Sequence, residues 1–317
     1  MKIEIAALRA VAAQHQVPPA SVTDAVVEAL NTAYAGALES GSATTAGTIE
    51  LHDDGTVVLR TPDGGTTTPD GFGRIAVATV RQAVVSWVRD QERRAIVGPW
   101  AGKEGKPVVG RVLGDGRNGE LRLRIDGVNA VLPAGEQIDS ETLPVGTDVT
   151  VLLLAANADK NQNIKLTVSR RQPTLATTLL TKDHPAFRAK RVEVVDVARE
   201  PGVRTKISLT PGENAPADLD VVAETTGAGG FRIWPVTEAL GGETIDLVVH
   251  DPDPATYAAN ALTPATGVTG SYADETRRNV IARVPVDQVP AATGTGGLNM
   301  RLAQRLTGTK IQIVPTD

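Results

Sequence analysis

Two glycine turns hold the residues of this chain best suited to chemistry. Thr226 opens "TGAGGFRIWPVTEALGGETIDLVV", and Thr293, 67 residues further on, opens "TGTGGLNMRLAQRLTGTKIQIV". The two stretches align with one residue inserted, so the chain contains an internal repeat. Each places Gly-x-Gly-Gly ahead of a helical pattern, as Gly227-Ala228-Gly229-Gly230 and as Gly294-Thr295-Gly296-Gly297. Glycine has no Cβ, so its backbone lets a phosphate approach closely, and a following helix adds the positive end of its dipole. The competing use of such a turn is to join two packed helices, and this stays open at both positions, more strongly at the first.

The cations near these turns extend the same chemistry. Arg232 follows the first turn. Arg301 and Arg305 lie one helical turn apart after the second and can share a face, with Leu298, Leu302 and Leu306 on the core side. Lys310 begins the next strand. Upstream, "LRLRI" alternates strictly, which puts Arg122 and Arg124 on one face of a strand, and Lys165 can join them to line a nucleic-acid surface. For each of these cations a plain solvated surface is the alternative. The cluster "FRAKR" at 187–191 can touch RNA or serve as a charged connector, with equal support for either.

Catalytic chemistry finds little footing. The histidines, His15, His52, His184 and His250, are scattered, and no nucleophile and base fall into a recognisable arrangement. "HDDG" and "HDPDP" resemble metal clusters but fit a hairpin turn and a helix cap better. No phosphate-loop lysine follows either glycine turn, and "GTGGLNM" lacks the third glycine of a dinucleotide fingerprint. We expect binding without catalysis, and neither metal nor cofactor.

Composition sets the frame that must position these groups. The 317 residues exceed one average core and imply two to four compact units, and 41% apolar content is enough to build them. Aromatics are only 3%, so the cores are aliphatic and a base-stacking surface is thin. The absence of cysteine excludes disulfides and suits a reducing cytoplasm. Glu4 and Arg9 interrupt the N-terminal apolar pattern, which argues against a signal peptide, and the most apolar run, at 149–156, is too short to span a bilayer. Residues 1–100 carry 8 basic against 11 acidic groups, residues 101–184 carry 11 against 10, and residues 185–317 carry 13 against 16. None is a basic block, which argues against strong non-specific binding of nucleic acid.

The apolar periodicity divides the chain further. Helices are predicted over 3–15, with Ile3, Ala6, Leu8 and Val11 on one face, and over 20–38, with Val22, Val26, Leu30 and Tyr34 at four-residue spacing. "TIELHDDGTVVLR" reads as a hairpin, "TPDGGTTTPDGFG" as a loop, and 74–95 as a long helix. "GPWAGKEGKP" is the linker. Residues 107–168 then show five short strands, "VVGRVLG", "LRLRID", "NAVLP", "DVTVLLLAAN" and "NIKLTVSR", the signature of a small OB-type barrel. A helical connector with Leu175, Leu179 and Leu180 follows. Each glycine turn comes after two strand-like runs, "VEVVDVAR" and "TKISL" in the first copy, "GVTGSYA" and "NVIARVPV" in the second. Asp253 can cap a helix that starts at Pro254. Helix, strand, strand, helix, Gly-x-x-Gly, helix, strand is the order of a prokaryotic-type KH domain, so two such units stand in tandem.

An α/β unit, a barrel and tandem KH units together resemble the NusA family of bacterial transcription elongation, termination and antitermination factors. "TPDGFGRIAVATVRQ", "VVDVAREPGVRTKISL", "ALGGETIDLVVHDPDPATYAANALTPA" and "NMRLAQRLTGTKIQI" carry the resemblance, which covers essentially the whole chain. It implies a multidomain α+β protein, with an RNA polymerase-binding domain at 1–100, an OB-fold barrel of the ribosomal S-one type at 104–171, and KH domains at 185–252 and 253–317. It further implies a cytoplasmic monomer that meets RNA polymerase, single-stranded nascent RNA and other transcription factors. The RNA-binding set is then Gly227, Gly230, Arg232, Gly294, Gly297, Arg301, Arg305, Lys310, Arg122, Arg124 and Lys165. With no acidic repeat after residue 317, autoinhibition by such a tail is not expected.

The departures from the family pattern fall in the turns themselves. Family loops usually carry a basic residue between the glycines, and neither loop here does. "ADLDVVAETT" before the first is acidic, and Trp234-Pro235 after it is expected to kink or delay the helix. The alternative is therefore a divergent paralogue that docks on polymerase and binds little RNA.

Overall fold

The computed structural model describes residues 2–67, 72–159 and 163–317. It separates into two compact units, Met1–Pro99 and Trp100–Asp159 with Ile164–Asp317.

The first unit holds α1 (Ile5–Gln14), α2 (Pro19–Glu39), β1 (Thr48–Leu51), β2 (Val57–Arg60), β3 (Thr66–Thr67) and α3 (Gly73–Val97). The four-residue stripe of α2 is the spine of its core: Val22, Val26, Leu30 and Tyr34 are all buried. Tyr34 stacks edge-on against Phe72, and its hydroxyl donates to the Thr45 carbonyl at 2.7 Å. Asn31 ties the same helix to the hairpin, accepting from the Ile49 N–H at 2.7 Å and donating to its carbonyl at 3.0 Å. The hairpin pairs Thr48 with Arg60 and Leu51 with Val57, as the turn chemistry requires.

Two expectations change in this unit. The buried line of α1 is Leu8 and Ala12, and Ala6 is exposed, because the helix docks through residues four apart. Thr66 and Thr67, read as loop, pair with Arg60 and Leu59 as a third strand. Gly64, at φ +84°, turns the chain back tightly enough for so short a strand to form. Residues 68–71 of that segment lie outside the described residues.

The second unit begins with β4 (Pro107–Asp115), β5 (Leu121–Ile125), β6 (Val128–Leu132), β7 (Asp148–Ala158) and β8 (Ile164–Ser169). They close in the order β4-β5-β6-β8-β7, antiparallel except for β6 beside β8, and β4 returns to β7. Alternation sends Leu123, Ile125, Ala130, Leu132, Leu166 and Val168 into the barrel and leaves Arg122, Arg124 and Lys165 outside.

Next come α4 (Pro173–Thr181), α5 (Pro185–Arg188), β9 (Val192–Glu200), β10 (Arg204–Pro211), α6 (Val221–Thr226), α7 (Trp234–Ala239) and β11 (Thr244–Val249). The repeat follows with α8 (Pro254–Ala261), β12 (Thr269–Tyr272), β13 (Asn279–Pro285), α9 (Val289–Thr293), α10 (Leu298–Thr307) and β14 (Lys310–Thr316). Both copies build the same three-stranded sheet. The middle strand, β10 or β13, runs antiparallel to its predecessor and parallel to the last strand. Helix α4 is more than a connector, since Leu175, Ala176 and Leu180 enter the first KH core. Asp253 caps α8 as expected, accepting from the Thr256 N–H at 3.0 Å. Pro235 sits in the first turn of α7, where its missing N–H is harmless. It delays that helix, which runs six residues against ten in α10.

A series of buried cations fastens the barrel and the KH units together. Arg170, at the end of the barrel, pairs with Glu141 and donates to the carbonyls of Thr150 at 2.7 Å and Ala239 at 2.9 Å. Arg199 of β9 pairs with Glu243 and donates to the carbonyls of Arg170 and Gln172. Lys206 of β10 pairs with Asp246 at 3.0 Å and reaches the Thr263 carbonyl in the second KH unit at 2.6 Å. Burial pushes the Lys206 ammonium below the usual lysine range, and Asp246 opposes that shift.

Candidate nucleic-acid interface

The two glycine turns are one structure built twice. Gly227 has φ 71° and ψ 169°, and Gly294 has φ 72° and ψ 166°. Gly229 and Gly296 both sit in the left-handed region, at φ 63° and 57°, followed by Gly230 at 79° and Gly297 at 76°. Three of the four positions in each turn thus hold a conformation that side chains rarely adopt. Space restricts the first glycine as well. A Cβ on Gly294 would lie 2.8 Å from the Asn299 nitrogen, and one on Gly227 would lie 2.5 Å from the Phe231 ring. By contrast, the space over Gly229, Gly230 and Gly296 is open, so the backbone there is accessible to a ligand.

The second KH unit carries Arg301 and Arg305 on α10 and Lys310 at the start of β14. Arg301, Arg305 and Lys310 line one shallow cleft of about 410 Å³ together with Glu200 and Gln304. Arg301 folds back onto the loop and donates to the Gly296 carbonyl. Arg305 is committed to the protein: its Nη2 lies 3.0 Å from Glu200 Oε2 and donates to the Arg199 carbonyl at 3.2 Å. Asn299 is buried under the loop, where its amide donates to the carbonyls of Leu262, Ala291 and Ala292. That anchor gives the second loop its shape without any charge between its glycines.

The first KH unit is arranged differently. Arg232 donates to the Glu224 carbonyl at 2.6 Å and lies over the Phe231 ring, 5.0 Å from its centre. A groove of about 480 Å³ runs beside the loop between Gly230, Trp234, Ile245 and Leu247. Its carboxylate, Asp246, is held by Lys206 and, at 3.6 Å, by Arg204. The acidic approach is also occupied: Asp220 caps α6, and Glu224 pairs with Arg191. The 187–191 cluster serves the fold, with Arg188 on Asp183, Lys190 on Glu213 and Arg191 on Glu224.

On the barrel, register brings the three predicted cations to one outer face. Arg124 stands opposite Asn129, and Asn129 stands opposite Lys165, so Arg124 and Lys165 flank it on either side. Arg122 lies two residues along the same face, opposite Val131. Arg122 donates to the Asp115 carbonyl and Arg124 to that of Gly127. Both are local backbone contacts on exposed side chains.

Sequence reasoning passed over two residues here. Of nine aromatic side chains, Phe231 at 59% and Trp234 at 64% are the two left exposed. Their position directly after the first turn was the available signal. In the sequence, Trp234-Pro235 reads only as a disturbance of the helix. The histidine motifs take ordinary structural roles. Asp54 of "HDDG" closes the hairpin by accepting from the Thr56 N–H at 2.9 Å, and Asp253 of "HDPDP" caps α8.

A closed OB-type barrel joined to two prokaryotic-type KH units, with paired glycine turns and cations on the same surfaces, defines a tandem-KH protein. Comparison gives the particular family. Residues 170–250 match the NusA-like first KH domain, and residues 254–317 match the NusA-like second KH domain. The chain is 34% identical over 331 aligned positions to the transcription termination/antitermination protein NusA of Mycobacterium tuberculosis, covering 99% of this chain and 93% of that protein. The NusA proteins of Thermus thermophilus and Bacillus subtilis are each 32% identical, covering 76% and 78% of this chain and 61% and 65% of their own lengths. The chain belongs to the NusA family. No described helix is long and apolar enough to cross a membrane.

Proposed function

We propose that this protein is a transcription factor that docks on RNA polymerase through its first unit and holds single-stranded nascent RNA on its barrel and KH units. In that position it modulates pausing, termination and antitermination in the cytoplasm. Its activity is binding, with no catalytic step. The observation that carries the reading is the pair of glycine turns with matching dihedrals and open space over their backbones. Two copies of a conformation accessible to few side chains are costly to keep for helix punctuation alone. Arg122, Arg124, Lys165, Arg301 and Lys310 supply exposed charge for phosphates, and Arg232 and Arg305 act first within the protein. Tethering to polymerase raises the local concentration of RNA, so individually weak sites suffice.

The divergent-paralogue reading draws support from the absence of charge inside both loops and from the excess of acidic over basic groups, 16 against 13, in residues 185–317. A salt series separates the two. The full chain is titrated with short single-stranded RNA, and affinity should fall steeply with salt as counterions return to the phosphates. No binding at low salt would leave only the polymerase-docking module. Loss of polymerase co-purification on deleting residues 1–99 tests the docking role, and an unchanged yield would refute it.

A further inference from the structure

We infer that Phe231 and Trp234 form a stacking site for unpaired RNA bases at the first KH loop, supplying by π-contact what that loop lacks in charge. The inference rests on the RNA-binding reading above and assigns the first KH unit a recognition chemistry different from the second.

Three observations carry it. First, large aromatic side chains are normally drawn out of water. The other seven in this chain are buried or partly so, while these two stand exposed within four residues after the turn. Second, Trp234 forms part of the wall of the groove that also contains Gly229, Gly230, Ile245 and Leu247. A nucleotide whose phosphate lies on the open Gly229–Gly230 backbone has its base at that apolar wall. Third, no cation lines the groove. Its one charged side chain is Asp246, which pairs with Lys206 and Arg204 from outside the lining, and Arg232 turns to the Glu224 carbonyl. A groove lined by no cation holds its ligand by desolvation and stacking, and a base offers a flat π-face for both. The second KH unit differs, with Arg301 reaching its loop at the Gly296 carbonyl and Leu298, partly buried, directly after it.

Proline supports the geometry. By delaying α7, Pro235 leaves residues 231–233 in an irregular turn between the loop and the helix. Phe231 packs there against the Gly227 backbone, with its ring beside the loop.

The test uses the full chain and an oligoadenylate RNA of about 12 nucleotides, within the site sizes of single-strand binders. Trp87 and Trp100 are buried, at 8% and 3% exposure, so fluorescence quenching on adding RNA reports Trp234. Quenching is expected with the oligoadenylate and not with an abasic strand of equal length and charge. Trp234→Ala should weaken binding about tenfold at fixed salt, Phe231→Ala should weaken it less, and Trp234→Phe should restore most of the loss. The slope of log affinity against log salt should not change, because no phosphate contact is removed. If RNA binds with its usual salt dependence while Trp234 is neither quenched nor needed, stacking is wrong and RNA binding through the cations stands. If polymerase quenches Trp234 and RNA does not, the pair belongs to a protein interface and the inference is overturned. If no RNA binds at low salt, both the inference and the RNA-binding reading fail.

Discussion

Arg199 and Glu243 form an ion pair sealed from solvent, with Nη2 2.8 Å from Oε2 and neither side chain exposed. The pair is the middle of a relay. Arg199 also donates to the Arg170 carbonyl, and Arg305 donates to the carbonyl of Arg199. Barrel, first KH unit and second KH unit are therefore joined through three arginines, and the candidate RNA surfaces on all three share one support.

Breaking that pair on one side should be costly. Glu243 accepts from Arg199, from the Gly202 N–H and from the Thr205 hydroxyl. Glu243→Leu leaves a buried guanidinium and two further donors unmatched, and should destabilise by about 3–5 kcal/mol. Glu243→Gln keeps an acceptor and should cost less. Urea unfolding of the full chain measures both. A Glu243→Leu variant that unfolds at the parent urea concentration contradicts the assignment.

Thr295→Arg should restore a loop cation at little structural cost, because Thr295 is the position of its turn without a positive φ. RNA affinity should rise, and its salt slope should steepen by about 0.7 for one added phosphate contact. Gly294→Ala tests the other half of the argument. Its φ of 72° and the approach to the Asn299 nitrogen should cost about 1–3 kcal/mol. Equal stability of the two variants in thermal unfolding would mean the turn does not need its glycine.

Within the cleft of the second KH unit, the three cations should behave differently. Arg305→Ala should lower stability by about 1 kcal/mol or less, as expected for an exposed ion pair, and leave the salt slope of RNA binding unchanged. Arg301→Ala and Lys310→Ala should each flatten that slope by about 0.7. An Arg305→Ala slope as flat as that of Arg301→Ala would show that Arg305 contacts phosphate instead of Glu200.

Acid should loosen the first unit in a definite window. The Thr56 hydroxyl and N–H, with Lys2, hold the Asp54 carboxyl at about 2 against an ordinary 3.8. A folded pKa below the unfolded one means the contribution is complete above 3.8 and lost as pH falls toward 2. Asp54→Asn should flatten the unfolding curve of the first unit in that window, as followed by circular dichroism. The same sign applies to Asp253, lowered chiefly by the Tyr272 hydroxyl and then by Thr256. A steeper curve for Asp54→Asn would reverse the sign of this linkage.

Local pattern was enough to recover most of the elements and their order, with β3 the strand it left as loop. The α2 stripe, the alternation of "LRLRI", the hairpin around Asp54 and the doubled glycine turn are all short-range signals, and short-range signals are written directly in the chain. Hence the barrel, the repeat and the family were legible from residues alone, and Arg122, Arg124 and Lys165 fell on one face as alternation requires. Burial of α1 was read less well, because which side of a short helix docks depends on the helix it meets.

Partnership was not legible. Arg305 and Glu200 are 105 residues apart, and Arg199 and Glu243 are 44 apart. No local rule says that one cation of a helical face will meet a neighbouring domain while the next lies beside an open loop. Nor does composition say which aromatics stay in water, since Phe231 and Trp234 are exposed because the first KH core closes without them. Backbone conformation and amphipathic pattern are local properties of the chain. Pairing of charges and exposure of rings depend on which surfaces meet, and packing across distant segments settles that.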